Sequence, residues 1–247
     1  MKADPATQLR LLDMQAIDSS LDRLAVRRRN LPEHAEIDKL DAQLAALNDD
    51  LVRVSTQLRD LNRSQKKLDN EVDLVRSRAA RDRKRLDSGQ ITSARELENL
   101  QAEIASLTRR QGVLEDELLE LMEAAEGLEA RAGAITADQE RLEAERAASA
   151  GRRDAALTEI DSEVAARRAE REAIAPTLPA DLVALYERLR ASSARVGAAK
   201  LVRRSCEGCH LELSGADLRD LAAAPADAVV RCEECRRILV RTAESGL

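Results

Sequence analysis

Four cysteines near the end of the chain are the residues best suited to chemistry. Cys206 and Cys209 form one pair, Cys232 and Cys235 form another, and 22 residues separate the pairs. Two residues inside each pair allow a tight turn to present both sulfurs to one metal, and four thiolates suit tetrahedral zinc. The spacing therefore predicts one structural Zn²⁺ with four protein ligands and no open position for a catalytic water.

Other interpretations use the same cysteines. Cys206 to His210 matches the C-x-x-C-H pattern of haem attachment, but that pattern leaves the second pair unexplained. A thioredoxin-like redox pair requires a βαβ context, and no such pattern surrounds either pair. A rubredoxin-like iron or an iron–sulfur cluster uses the same four thiolates, so spacing alone does not separate iron from zinc. His210 is expected to be a strand residue beside the first pair, and His34 a solvated helix residue.

Short elements around the cysteines predict a small α+β zinc ribbon over residues 200–247. A linker over 176–199 contains a helix from Leu182 to Arg190, whose apolar face is expected to pack the ribbon onto the elements before it. The ribbon itself is expected to contain strands at 200–204, 210–213, 229–231 and 237–241 and a helical turn at 215–223.

The rest of the chain has the composition of long helices. It has 35% charged residues, no Phe or Trp and a single Tyr, so a compact aromatic core is excluded. Apolar residues alternate at steps of three and four from Ile37 to Leu86 and again from Leu97 to Leu142, which specifies a coiled coil. Turn-forming residues separate the two stripes. The fold class is mainly α, a long antiparallel coiled-coil helical hairpin.

The hairpin is expected to span residues 1–175, with its turn near 87–92. Folding back there places Leu86 opposite Leu97 and an acidic run at 115–123 level with a basic run at 59–67. Pro32 and Gly151 then lie at one level, so kinks are expected near 30–33 and 151.

The charge and the hydropathy of the chain argue against several classes of function. The net charge of -6 argues against wholesale coating of nucleic acid. The first twenty residues lack an apolar signal segment, and no stretch approaches the ~18 apolar residues of a membrane helix. We expect a cytoplasmic protein with reduced cysteines, no membrane contact and no small-molecule substrate.

Two clusters of basic residues are candidate surfaces for nucleic acid or a protein partner. Both stand out because the chain is acidic overall. The hairpin tip contributes Arg76, Arg78, Arg81, Arg83, Lys84 and Arg85. The ribbon contributes Arg203, Arg204, Arg231, Arg236 and Arg237, which the zinc site is expected to hold on one surface.

The chain resembles a family of bacterial coiled-coil proteins with a C-terminal C4-type zinc ribbon. The resemblance covers nearly the whole chain and rests on residues 95–104 after the turn, 182–189 before the ribbon and 232–239 at its end. The family usually has Gly after the last cysteine, whereas this chain has Arg236. The resemblance implies a helical hairpin with the ribbon at its open end. It also implies nucleic-acid binding, or adaptor roles towards the RpoN sigma factor, flagellar or secretion components, or RNA.

Three functions follow from these features. The first is a non-enzymatic zinc-ribbon adaptor that binds protein partners in transcription or assembly and also nucleic acid. The second is a regulator that binds phosphate backbones through the arginine clusters. The third, an enzyme, has least support because the sequence has no His-rich constellation and no phosphate-cradling glycine loop.

Overall fold

The computed structural model describes residues 1–247 and confirms a mainly helical fold with a small strand-containing ribbon. A 3₁₀ turn, Ala175–Thr177, follows the third helix. The helices are α1 (Pro5–Arg29), α2 (Pro32–Asp87), α3 (Ala94–Ile174), α4 (Ala180–Ser192) and α5 (Gly215–Ala223). The strands are β1 (Ala198–Val202), β2 (Ser205–Cys206), β3 (Val230–Arg231) and β4 (Ile238–Val240).

Contacts divide the chain into two compact units. The hairpin unit is Ala35–Ser149, and the base unit combines Met1–His34 with Ala150–Leu247. The base unit therefore contains α1, the end of α3, α4 and the whole zinc ribbon.

The hairpin unit reverses direction where the sequence predicts a turn. Helix α2 ends at Asp87, Gly89 adopts a positive φ of 65°, and α3 begins at Ala94. Glycine suits this position because a left-handed backbone conformation costs it no side-chain clash. Arg85 and Glu96 then form an ion pair at 2.6 Å across the turn.

Buried residues of the hairpin unit lie on the predicted stripes. On α2 they include Leu40, Val54, Val72 and Ala79, and on α3 Leu100, Ile104, Leu114, Ala125, Ile135 and Leu142. Further from the turn, ion pairs between Arg78 and Glu103 and between Glu71 and Arg110 join α2 to α3 in the same register as the Arg85–Glu96 pair. The antiparallel coiled-coil hairpin is confirmed.

The two predicted helix breakers behave differently. The chain leaves the helix after Arg29, and Pro32 opens α2 as its first residue. Proline suits that position because its missing N–H would have no helical partner there. Gly151 lies inside α3, which continues to Ile174. Glycine lowers helix propensity by about 1 kcal/mol but keeps its N–H donor, so a long packed helix tolerates it.

The base unit has an apolar core that joins α1 and α4 to the ribbon sheet. Leu11 and Met14 of α1, Leu182 and Tyr186 of α4, and Ile238 of β4 belong to one buried cluster. The predicted packing face of α4 is confirmed, although the helix extends two residues further at each end than expected.

Four strands form the ribbon sheet in the order β2-β1-β4-β3. Strand β1 runs parallel to β4 and antiparallel to β2, and β3 runs antiparallel to β4. The strand expected at 200–204 begins and ends two residues earlier because Arg203 and Arg204 have positive φ angles of 46° and 80°. The strand expected at 210–213 is reduced to one bridge between Glu212 and Ser205.

Helix α1 contacts the ribbon through Gln15. Its Oε1 accepts hydrogen bonds from the N–H groups of Gly197 at 2.7 Å and Ala198 at 3.3 Å. A Cβ at Gly197 would lie 2.6 Å from the carbonyl oxygen of Tyr186, so only glycine fits there.

A buried carboxylate completes the base unit. Asp18 is 1% exposed and accepts hydrogen bonds from Arg171 Nε at 2.7 Å and from Tyr186 Oη at 2.8 Å. Arg190 Nε lies 3.7 Å from the same carboxylate. Asp18 therefore links α1 to α3 and α4, and its charge is compensated as a buried carboxylate requires.

Candidate metal centre

The four cysteine sulfurs converge on one point in the ribbon. All four lie within 4.8 Å of one another, and the sulfur pairs Cys206–Cys235 and Cys209–Cys232 are 3.8 and 3.9 Å apart. A tetrahedron with zinc–sulfur bonds of ~2.3 Å has sulfur–sulfur edges of about 3.8 Å. The thiols therefore already lie at the spacing of a four-sulfur zinc site.

Each cysteine pair is shaped by the same tight turn. His210 donates its N–H to the carbonyl of Cys206 at 2.7 Å, and Arg236 does the same to Cys232 at 2.8 Å. Both donors have positive φ angles, 61° at His210 and 62° at Arg236. His210 is thus a turn residue rather than the expected strand residue. Arg236 occupies the position where the family usually has Gly, at a conformational cost of about 1–2 kcal/mol.

Burial raises the pKa of two of the four thiols, Cys206 and Cys232. Cys206 and Cys232 are fully buried, whereas Cys209 and Cys235 are half-buried. Burial raises the pKa of Cys206 to about 12 and also raises the pKa of Cys232. These thiols hold their protons until a metal displaces them, so metal binding releases protons and weakens as pH falls.

A small core surrounds the sulfurs and gives the module its shape. Leu201, Leu218, Leu221 and Leu239 pack with Cys206 and the other cysteines in one cluster. Ser214 caps α5 with a reciprocal capping box to Asp217. A core this small depends on metal for stability, and four thiolates close the coordination sphere.

The convergence of all four sulfurs argues against two of the alternatives, and the match to a C4-type zinc ribbon favours zinc over iron. Haem attachment and a thioredoxin-like pair would each use one cysteine pair and leave the other without a role, whereas here both pairs share one site. The cofactor assigned to this site is one zinc ion.

Half of the basic side chains at the hairpin tip are used within the hairpin. Arg76 bonds Glu115 at 3.0 Å, Arg85 bonds Glu96 at 2.6 Å, and Arg78 bonds Glu103. The other members of the predicted cluster form no ion pair; they are Arg81, Arg83 and Lys84.

The ribbon arginines do not form the single surface that the sequence suggests. Arg203 and Arg204 follow the end of β1. Strand β3 pairs with β4, and β4 pairs with β1, so that Arg231 and Arg236 lie level with the beginning of β1. The four steps along β1 separate the two pairs by about 13 Å. Arg204 lies 3.5 Å from Glu212, and Arg236 lies 2.9 Å from Glu233.

The structure removes Arg237 from the predicted binding surface. Its side chain is buried and donates to the carbonyls of Val196 at 3.1 Å, Gly208 at 2.5 Å and Ser193 at 3.0 Å. All three guanidinium nitrogens are used, so Arg237 fixes the first cysteine turn to the segment that follows α4.

Sequence reasoning missed the polar residues that hold the ribbon in place. Arg241 donates to five carbonyls between Leu221 and Ala228, and Gln8 donates to the carbonyls of Ala3, Ala226 and Ala228. Arg241 could not be told from its neighbours in a chain of 40 basic residues. Gln8, Gln15 and Asp18 could have been noticed as polar residues on the buried side of α1.

No helix combines the length and the apolar character that a membrane crossing requires.

Two family descriptions match separate parts of the chain. Residues 14–194 match the CT398-like coiled-coil hairpin domain, and residues 205–239 match the C4-type zinc ribbon domain. An uncharacterised Mycobacterium tuberculosis protein is 39% identical over 98% of both chains. An uncharacterised Mycobacterium leprae protein is 32% identical over 90% of this chain and 94% of its own.

Solved structures agree with these matches. A Mycobacterium smegmatis structure has a TM-score of 0.87 at 36% identity and covers 98% of this chain and 100% of its own. The structure of CT398 from Chlamydia trachomatis has a TM-score of 0.71 at 19% identity and covers 96% of this chain and 98% of its own. At that identity the second similarity concerns the fold alone.

Proposed function

Because this chain belongs to the CT398-like coiled-coil hairpin family and carries a C4-type zinc ribbon, we propose that it is a non-enzymatic adaptor that binds protein partners through the ribbon surface. The observation that carries the proposal is the closed four-thiolate site. A metal with four protein ligands has no position left for substrate or water, so its role is to hold a surface in shape. The adaptor acts in the cytoplasm, where thiols stay reduced.

The surface around the site suits binding. Arg203 and Arg231 are exposed and form no ion pair, at opposite ends of the sheet. Arginine is enriched in protein interfaces because its planar guanidinium forms two parallel hydrogen bonds to one carboxylate and stays charged. The proposed partners belong to the transcription or secretion machinery, on the strength of the family resemblance.

Affinity capture from the native host tests the adaptor role with full-length, zinc-loaded protein. One variant carries Arg203→Ala and Arg204→Ala, and a second carries Arg231→Ala and Arg236→Ala. A matched control changes Arg167 and Arg168, which lie on α3 in the same unit. We expect one ribbon variant to lose a partner that the control retains, at unchanged zinc content. If both ribbon variants and the control variant capture the same partners, the ribbon is not the binding surface.

Nucleic-acid binding at the hairpin tip is a second candidate, favoured by the unpaired Arg81, Arg83 and Lys84. Residues 76–110 contain nine basic and five acidic residues, so the tip is positive within an acidic protein. The chain has no aromatic residue there to stack bases, so binding would depend on phosphate contacts and on salt.

Two triple variants of equal charge separate binding from folding at the tip. Changing Arg81, Arg83 and Lys84 to Gln removes unpaired charges, whereas changing Arg76, Arg78 and Arg85 removes charges already paired with glutamates. We expect the first variant to lower the slope of log affinity for duplex RNA or DNA against log salt by about 2.7, three phosphate contacts at ~0.9 each. Equal losses in both variants, or no binding at low salt by the unaltered protein, would exclude this function.

A further inference from the structure

A groove in the ribbon lies between α5 and the edge strand β3. Its volume is about 290 Å³. Leu213, Leu221 and Val230 provide apolar lining, and the first two are only 5% and 7% exposed. Ligand pockets for small molecules begin at roughly 300 Å³, so this groove suits one or two side chains of a protein rather than a cofactor.

The rim of the groove is acidic. Asp217, Asp220 and Glu233 line it together with a single cation, Arg231. Asp220 is exposed and forms no ion pair, and Asp217 uses one oxygen to accept the N–H of Ser214 at 3.2 Å. Arg231 directs its Nε to the carbonyl of Arg236 at 2.8 Å. Glu233 already pairs with Arg236 at 2.9 Å, so Asp217 and Asp220 are the carboxylates that favour a positively charged occupant.

The wall formed by β3 has free backbone groups. Cys232 donates its N–H to the carbonyl of Arg237 at 3.0 Å. Bonding alternates along an antiparallel pair, so the N–H and C=O of Arg231 point away from β4. No strand lies on that side of β3, because β3 is the last strand of the sheet.

The same edge already binds an extended segment one step earlier. Ala3 donates its N–H to the carbonyl of Asp227 at 2.8 Å, and Val229 donates to the carbonyl of Met1 at 3.2 Å. The residues before β3 are therefore paired with the chain's own N-terminal segment, and a partner segment would extend the same edge at Arg231.

We propose that this groove binds an extended segment of a partner protein, which adds to the β3 edge and places a lysine or arginine between α5 and β3. The apolar lining would contact the aliphatic stem, and Asp217 and Asp220 would bond the charged head. Main-chain bonds to an edge strand supply affinity in such complexes, and a pocket for one side chain supplies specificity. The inference rests on the proposed adaptor function and names the chemistry of its partner.

A phage-displayed library of random nine-residue segments, selected on full-length zinc-loaded protein, tests the proposal. We expect selected segments to share one lysine or arginine, with β-branched or apolar residues at alternating positions around it. A synthetic segment with arginine should bind at least tenfold more tightly than the same segment with citrulline, which keeps the shape and removes the charge. Asp220→Asn should weaken the arginine segment roughly fivefold, within the range of one ordinary hydrogen bond at an exposed position.

Glu234→Gln is the matched control. Glu234 is an exposed carboxylate next to Glu233 in the second cysteine turn, and it does not line the groove. Segments without a shared basic residue, equal affinities of the arginine and citrulline forms, or equal effects of the two substitutions would each overturn the proposal. Dimerisation of the chain through this groove, seen by sedimentation and lost in Asp220→Asn, would overturn it as well. If any of these outcomes is seen while captured partners still depend on the ribbon arginines, only the groove proposal is wrong. If no captured partner depends on the ribbon arginines, the groove proposal and the adaptor function are both wrong.

Discussion

Replacing Asp18 by Asn should destabilise the base unit while leaving the hairpin unit unchanged. The Asp18 side chain is 2% exposed, and its main partner Arg171 is 27% exposed. The substitution keeps the shape of the side chain but removes the charge that two guanidinium groups face. It also turns one acceptor oxygen into an amide that can only donate.

The cost follows from the contacts. A hydrogen bond to a charged group contributes about 1.5–3 kcal/mol, and Asp18 accepts two such bonds, from Arg171 and Tyr186. Loss of a buried partner can cost 3–5 kcal/mol, but Arg171 keeps Glu187 and Arg190 keeps Asp22 as second partners. We expect a loss of about 2–4 kcal/mol in the free energy of unfolding of the base unit.

Tyr186 is a built-in probe for this measurement because it is the only aromatic residue of the chain. Guanidinium unfolding of zinc-loaded protein, followed by tyrosine fluorescence, reports the base unit, whereas circular dichroism reports the helices of both units. Asp161→Asn is the control, since Asp161 and its partner Arg28 are both about half exposed. An exposed pair contributes ~0–1 kcal/mol. If Asp18→Asn shifts the fluorescence transition no more than the control does, the inferred role of the buried carboxylate is incorrect.

Four further perturbations test the base unit, the hairpin unit and the metal site. Burial, and then the hydrogen bond to Asp18, raise the pKa of Tyr186 above its ordinary value of 10.0. This stabilisation is complete below pH 10 and is lost as pH rises above it, so absorbance should show tyrosinate only as the base unit unfolds. Gly197→Ala should lower the free energy of unfolding of the base unit by about 1–3 kcal/mol, measured by the same fluorescence assay. In α3, a Cβ added at Gly112 would have no atom within 4 Å, so Gly112→Ala should stabilise the hairpin unit by up to ~1 kcal/mol. A strong zinc chelator should abolish the Tyr186 transition and retain most helical dichroism; full retention of both would contradict a structural metal.

Much of the fold could be predicted from local patterns. The steps of three and four between apolar residues defined the hairpin, and the turn at Gly89 and the capping by Ser214 follow from the ordinary preferences of these residues. The four cysteines could be assigned because metal ligands need only type and spacing. In each case the signal is carried by residue type and spacing along the sequence.

The remaining features depend on contacts between distant parts of the chain. Arg237 and Arg231 are both ribbon arginines near β4, yet one is buried against three carbonyls and the other is exposed. The sequence also did not indicate that β1 and β4 are parallel, which separates Arg203 from Arg231. Strand pairing and side-chain burial are properties of the assembled ribbon, so composition and spacing could not distinguish these residues.

The central claim is that the four cysteines form a closed structural site that holds a binding surface. X-ray absorption at the zinc edge, on full-length protein purified with its metal, measures this directly. We expect one zinc per chain with four sulfur neighbours at ~2.3 Å and no oxygen or nitrogen neighbour. Three sulfurs with one oxygen neighbour would indicate a water-bearing, open position at the metal and would contradict a closed structural site.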